Sequence, residues 1–266
     1  MKIYDCITYF EEEFLFSLRL KILSKFVDHF IVCESVFGHN GLKKKKLFDK
    51  KKYAKYEDKI IHLIIDKFPE NISRWKRQDL QRDYLFKGLS EAKENDFILF
   101  SDSDEIPDPK KFEEFNKNKK FFLFEQKHFC YNFNTINNSE YFWEGTRACQ
   151  KKYLKSFNWL RTKIKKKNLN YPFFRFDKEK NIKIIENGGW HFSYFLSPEE
   201  IANKINSSPH KEFINDENLN VEIIKKRIKN LKDPLGRDKE YKKLENLNIL
   251  PKEILDNHEF YKKWFC

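Results

Sequence analysis

An apolar run, Phe97-Ile98-Leu99-Phe100, leads directly into Ser101-Asp102-Ser103-Asp104-Glu105. Three carboxylates crowded into so short a stretch repel one another. On an extended segment alternate residues project the same way. Asp102 and Asp104, with Ser103 between them, should therefore each raise the other's pKa unless a cation lies between them. A hard divalent ion with oxygen ligands resolves that conflict. The plain alternative is an Asp-rich turn open to water. The apolar run before the motif, and the stiffening by Ile106 and Pro107 after it, favour the metal.

Other residues far along the chain have chemistry to offer. In "ENGGWHFSYF" the pair Gly188-Gly189 permits close backbone approach or positive φ, and His191 is a candidate ligand for the same ion. A half-buried histidine beside Trp190 is the ordinary reading. Arg74, Arg77, Gln81 and Arg82 lie on one helical stretch, and planar guanidiniums suit phosphate oxygens. The ordinary reading there is a solvated face paired with Asp79 and Asp83. Glu144 lies between Trp143 and Gly145, and a carboxylate beside an aromatic ring can be tuned into a general base. Glu186 is a second candidate of that kind. Either could instead be a surface glutamate in a turn.

The elements that must position these residues read as an alternation. Residues 2–9, 28–35, 59–66 and 96–102 are strand-like, and residues 11–26 and 72–96 are helical. Phe14, Leu18, Ile22 and Phe26 form the expected buried stripe of the first helix, and Trp75, Leu80, Tyr84 and Leu89 that of the second. Strands separated by helices predict βαβ units and a mainly parallel sheet, with ligands beyond the carboxyl ends of the strands. The acidic cluster sits at such an end. After Pro109 the texture becomes aromatic and strand-like over 119–134, with shorter pieces at 141–154 and 171–176. Ser197, Pro198 and Glu200 predict a capped helix start, and a basic helix is expected over 217–231. Lys43–Lys46 and Lys50–Lys52 read as a basic, mobile loop. The expected organisation is a single α/β domain over 1–266, with a mostly parallel central sheet, a mixed-strand second half and C-terminal helices.

Composition bounds the rest. The 266 residues are 40% hydrophobic and 17% aromatic, enough for one bulky core and too apolar for a disordered chain. A net charge of +12 fits nucleic acid, an anionic membrane or a phosphorylated substrate. Lys outnumbers Arg, and Asn, Ile and Phe are abundant. AT-rich coding produces that joint bias, so part of the charge carries no function. Cys6, Cys33, Cys130, Cys149 and Cys266 are widely spaced, which argues against a zinc ribbon or a disulfide framework and for reduced thiols in the cytoplasm. No signal peptide or membrane-spanning run is expected.

Four segments then occur in order: "YDCITYFEEEFLFSLRLKIL", "VDHFIVCES", "SDSDEIPDP" and "GGWHFSYFLSPEEIANKI". Together, over roughly residues 1–210, they resemble glycosyltransferase family 17. Its best-known member type is the N-acetylglucosaminyltransferase III that adds the bisecting sugar to N-glycans. The resemblance implies a GT-A-like fold, a UDP-GlcNAc donor and an inverting reaction. Residues 1–109 would form the nucleotide-sugar half, 110–210 the acceptor side and 211–266 a helical extension. Asp102 and Asp104 would be the metal-binding pair, with Mn2+ or Mg2+, and a His191 ligand would favour Mn2+. Arg77 and Arg82 would share the diphosphate charge. Uridine would sit near Thr8 to Glu11 and near Glu34. Glu144 is the first expected base and Glu186 the second. The expected acceptor is a glycan or glycolipid, with peripheral contact to an anionic membrane through the basic loops. Neither nucleic acid nor an obligate protein partner is expected. Two other readings use the same residues. One is a metal-dependent phosphoryl-transfer or nuclease-type enzyme; the other is a non-enzymatic basic module for RNA or membrane surfaces.

Overall fold

The computed structural model describes residues 1–116 and 118–265. In chain order it begins with β1 (Ile3–Tyr9), α1 (Glu13–Leu23), β2 (His29–Ser35), β3 (Ile60–Ile65), α2 (Arg74–Tyr84) and β4 (Phe97–Asp102). Most residues of β1, β2 and β4 are buried, chiefly Ile, Val, Leu, Phe, Tyr and Cys, the signature of a sheet covered on both faces, whereas β3 at the end of the sheet is buried only at Ile60 and Ile65. They pair in parallel in the order β3-β2-β1-β4. Their carboxyl ends therefore share one edge, and Asp102 ends the strand beside β1.

The second half adds β5 (Glu105–Pro107), β6 (Phe121–Cys130), β7 (Thr135–Asn137), β8 (Phe142–Gln150), α3 (Phe157–Lys163), β9 (Ile182–Ile185) and β10 (Gly189–Ser193). Strand β8 joins β4 antiparallel, and β6 joins β8 antiparallel. Strand β10 then runs parallel to β6 and antiparallel to β5. That last pairing brings His191 opposite Glu105. Gly189 makes it possible: its φ is +136°, and a Cβ there would lie 2.3 Å from the Ile106 carbonyl. The chain closes with α4 (Pro198–Ser207), α5 (Asp216–Leu219), α6 (Val221–Lys229), β11 (Tyr241–Lys243), α7 (Lys252–Leu255) and α8 (His258–Tyr261). The fold is thus mixed α/β, parallel in its first half and mixed in its second.

Several expectations are corrected here. The stretch 72–96 is not one helix: α2 ends at Tyr84 and a 3-10 turn comes next over Leu85–Leu89. Gly88 in that turn approaches β2 so closely that a Cβ would lie 2.5 Å from Ile31. Only Leu89 of its four expected core residues is buried; Trp75 is exposed, and Gln81 and Arg82 face inward instead. Phe26 lies beyond the end of α1 and is exposed, while Leu15, Phe16, Leu20 and Leu23 widen the buried face. The basic helix over 217–231 is divided into α5 and α6, with Asn220 capping the second. Residues 171–176 form turns, not strand. The loop around Lys43–Lys46 is held in place, because the buried Glu34 carboxylate accepts from the Leu47 and Phe48 amides and pairs with Lys44. The expected capping box forms, with Ser197 and Glu200 each bonding the other's backbone N–H.

Cys6, Cys33, Cys130 and Cys149 are buried and unpaired; Cys266 lies outside the described residues. Among the described residues no helix is long and apolar enough to cross a membrane.

Candidate active site

The carboxyl ends of β1, β2 and β4 open on a cavity of about 440 Å3. Thr8, Tyr9, Phe10 and Glu12 line it after β1, Phe37 and His39 after β2, and Asp102 to Glu105 after β4. Strands β6 and β10 contribute His128, His191 and Ser193, and α4 contributes Lys204.

The acidic cluster rests on a floor of buried arginines. Arg19 of α1 bonds Asp5 of β1 with both Nε and Nη2 at 2.5 Å. It also bonds Ser101 and donates to the Glu105 carbonyl. Arg161 of α3 grips Glu105 with both nitrogens, at 2.6 and 3.0 Å, and reaches Asp102 at 2.7 Å. Trp143 Nε1 donates to the remaining face of Glu105 at 2.6 Å, and the Asp102 amide donates at 3.1 Å. Every oxygen of Glu105 is thereby engaged, and its side chain is closed to a ligand. It orients the turn. Asp108 likewise only caps the next short turn, accepting from the Lys110 amide.

Asp102 and Asp104 are used differently. Asp102 faces Arg161 and Arg82. Asp104 takes Lys204 at 3.0 Å on one oxygen and lies 3.5 Å from His191 Nε2 on the other. The expected repulsion is present, since Asp104 pushes Asp102 up, but cations supplied by the protein itself outweigh it. Burial does push both up, and each is near the other. The guanidiniums of Arg161 and Arg82 outweigh this for Asp102, and Lys204 and His191 outweigh it for Asp104, so both carboxyls lie below their ordinary range. His191 is stacked between Trp143, at 4.8 Å, and His128, at 4.5 Å, which fixes its ring.

The residues fit a divalent ion in part. Asp104 Oδ1 and His191 Nε2 face each other 3.5 Å apart on the cavity wall, an oxygen–imidazole donor set suited to an intermediate cation. Among the described residues no group of three His, Cys, Asp or Glu converges on one point, so the remaining ligands would come from substrate and water.

The other expected residues divide. Thr8 and Ser103 line the cavity, and Arg82 reaches Asp102 from behind it. Glu11 lies beside the cavity on Asn203, and burial beside Glu12 raises its pKa. Arg77 is spent on the His39 carbonyl and is not among the lining residues; Arg74 holds the carbonyls of Asn206 and Ser208. Glu34 turns inward to hold the 36–48 loop, and through that loop Lys44 reaches the cavity. Glu144 is turned away from the lining and pairs with Arg147, because Trp143 takes the cavity side and neighbours on a strand face opposite ways. Glu186 lies exposed in the turn between β9 and β10.

Lys204, Arg161 and Glu140 were not anticipated, and Trp143 was read only as an aromatic ring beside Glu144, not as a donor to Glu105. Of the five acids lining the cavity, Glu140 is the most open, with 37% of its side chain exposed; it pairs with Lys239 and lies 4.0 Å from His128 Nδ1.

A parallel sheet whose strand ends carry an acidic turn over such a cleft defines an α/β fold of the nucleotide-binding type. Within that class the chain belongs to glycosyltransferase family 17, whose model matches residues 1–247. It is a sugar-transferring enzyme. No curated protein matches its sequence. Among solved structures it resembles a glycosyltransferase involved in glycosylation of the major capsid of PBCV-1, with 12% identity, covering 70% of this chain and 82% of that one at a TM-score of 0.33. It also resembles the inositol-1-phosphate CTP transferase of T. maritima, with 10% identity, 100% and 98% coverage and a TM-score of 0.34. A third is the Francisella tularensis 2-C-methyl-D-erythritol 4-phosphate cytidylyltransferase, at 12% identity, 55% and 65% coverage and a TM-score of 0.25.

Proposed function

We propose that the enzyme transfers N-acetylglucosamine from UDP-GlcNAc to a hydroxyl of a glycan or lipid-linked saccharide, by one inverting displacement. The observation that carries this is the Asp104–His191 pair, 3.5 Å apart at the end of the central strand and facing the cavity. Asp104 and His191, with Asp102 directly or through water, would hold Mn2+ or Mg2+. A bound ion of this kind supplies a Lewis acid that offsets charge on a departing diphosphate. The chain's own residues do the rest. Lys204 and Lys44 place fixed positive charge on the cavity wall, preorganised for a diphosphate. Trp143 offers a ring face for a sugar. Glu140 replaces Glu144 and Glu186 as the base: it is open to the cavity, and its partner His128 is neutral at pH 7 because burial, His191 and Lys239 lower its pKa. The reading as a bisecting enzyme of N-glycans is one acceptor among those the family allows.

The test is a donor screen with Mn2+ present, following hydrolysis of each nucleotide sugar to free nucleotide. UDP-GlcNAc is expected to turn over, and Asp104→Asn to lower that rate by at least about 100-fold, as loss of a transition-state charge contact does. Near-normal turnover by Asp104→Asn would overturn the assignment of the pair. Turnover of a different nucleotide sugar alone would overturn the donor. Asp104→Asn should also lower stability, since the paired carboxylate sits below its ordinary pKa.

A further inference from the structure

Residues 164–180, between α3 and β9, carry six lysines and arginines against two acids. Within them Leu169, Phe173, Phe174 and Phe176 are exposed, and Phe173 at 86% and Phe176 at 90% are the most exposed aromatics among the described residues. The rest of the chain hides its phenylalanines well: those of β6 are all 0–2% exposed. Nor is the segment loose. Its base is fixed by buried Ile164 and Asn168, by Asn168 on the Lys163 carbonyl at 2.7 Å and by Lys166 on Glu125 at 2.6 Å. Past the turn, Lys180 donates to the Pro172 carbonyl, and Arg175 packs over Tyr171 and bonds Asp177. Local contacts thus hold the backbone on both sides of the phenylalanines while their rings face water.

We infer that this segment docks on an anionic membrane, with Phe173, Phe174 and Phe176 entering the headgroup boundary and the surrounding lysines meeting lipid phosphates. Apolar rings in a basic setting are the composition of interfacial anchors, where hydrophobic and electrostatic attractions add. Charge selects this occupant over a second copy of the chain: self-association through the segment would press two basic surfaces together. Lys43–Lys46 is the poorer match, because Lys44 turns inward to Glu34 and no exposed aromatic ring accompanies the other three lysines. The base of the segment lies beside the cleft's arginine floor, since Arg147 donates to the Ile164 carbonyl at 3.3 Å. Docking there would bring the cleft's arginine floor close to the lipid surface. The contact depends on the segment alone and is measured without any sugar donor.

The experiment is sedimentation of the full chain with vesicles of phosphatidylcholine alone, or with about 30% phosphatidylglycerol, over a salt series. Binding is expected on the anionic vesicles only, weakening as salt rises. The triple variant F173S/F174S/F176S should bind at least about tenfold more weakly at an unchanged melting temperature, because these rings pack on no core. In the otherwise native chain, Phe173→Trp should give an emission blue shift on anionic vesicles. Binding that ignores the triple variant would overturn the proposal. An indole emission that does not move in the Phe173→Trp variant while the protein sediments would do the same. So would a dimer in solution that the triple variant dissolves, or retention by poly(U) RNA with no vesicle binding.

Discussion

The floor beneath the acidic turn and the rim above it use the same residue types to opposite ends. On the floor, Asp5 with Arg19 and Glu105 with Arg161 are buried, bidentate and saturated with hydrogen bonds. At the rim, Glu140 with Lys239 and Glu125 with Lys166 are single contacts, each with one partner at least a third exposed. Asp104 lies between the two regimes, neutralised by Lys204 yet open to the cavity. A carboxylate with no free lone pair can only hold structure; one with a free face can act on a ligand. Position in the fold, not residue type, decides which it is.

This difference predicts unequal costs. Arg19→Ala removes one partner of a fully buried pair and leaves Asp5 and the Glu105 carbonyl unmet, so stability should fall by about 3–5 kcal/mol. Lys239→Ala removes a rim partner that water can replace, and should cost less than about 1 kcal/mol. Urea denaturation of both variants measures the contrast, and similar losses would break it. Arg19→Lys sharpens it: a lysine keeps the charge but cannot make the paired contacts to Asp5, so most of the loss should persist.

Next in size is the effect of Glu140 on transfer. Glu140→Gln keeps the shape and removes the proposed proton acceptor, so kcat should fall by about 100-fold or more, with KM for the donor little changed. A fall in donor affinity with kcat intact would assign Glu140 to binding, and Glu105→Gln would not imitate the expected pattern, because its damage is to folding.

What could be read from the residues alone obeys the same division. The four parallel strands, the acidic turn, the glycine pair before His191 and the capping box at Ser197 are local signals, written in runs or fixed spacings. The partners that complete the site are not. Lys204 read only as part of a capped helix, and Arg161 and Trp143 meet Glu105 because α3 and β8, distant in sequence, pack against β4 and β5. Arg77 and Arg82 look equivalent among the chain's cations, yet five helical residues set them roughly 140° apart, so one faces the His39 loop and the other Asp102. Glu144 fails for a simpler reason. On strand β8 its neighbour Trp143 already takes the cavity side, and the pleat turns Glu144 to the other. Glu34 has the right position after β2 for a ligand contact. Its oxygens are claimed by amides a dozen or so residues further on, which nothing in the local sequence announces.

The smallest effect separates floor from rim by pH. His39 lies on the cavity wall with its Nε2–H donating to Gln81 at 2.9 Å. Burial, aided by Arg82 and Arg77, lowers its pKa to about 4 from an ordinary 6.5, against the opposing Gln81 bond and Asp102. The folded protein therefore keeps His39 neutral where the unfolded chain binds a proton. Unfolding takes up that proton between pH 6.5 and about 4, so stability is full above this window and falls as pH drops through it. The carboxylates of Asp102 and Asp104, held below their ordinary range by their cationic partners, act mainly at the lower end of the window and below it, because aspartates of an unfolded chain protonate near pH ~4. His39→Gln should flatten the fall by about one proton's worth of slope while leaving stability near neutral pH changed by about 1 kcal/mol or less, since glutamine can still bond Gln81. Urea midpoints at several pH values across the window read this directly. An unaltered slope would mean that His39 is protonated in the folded state.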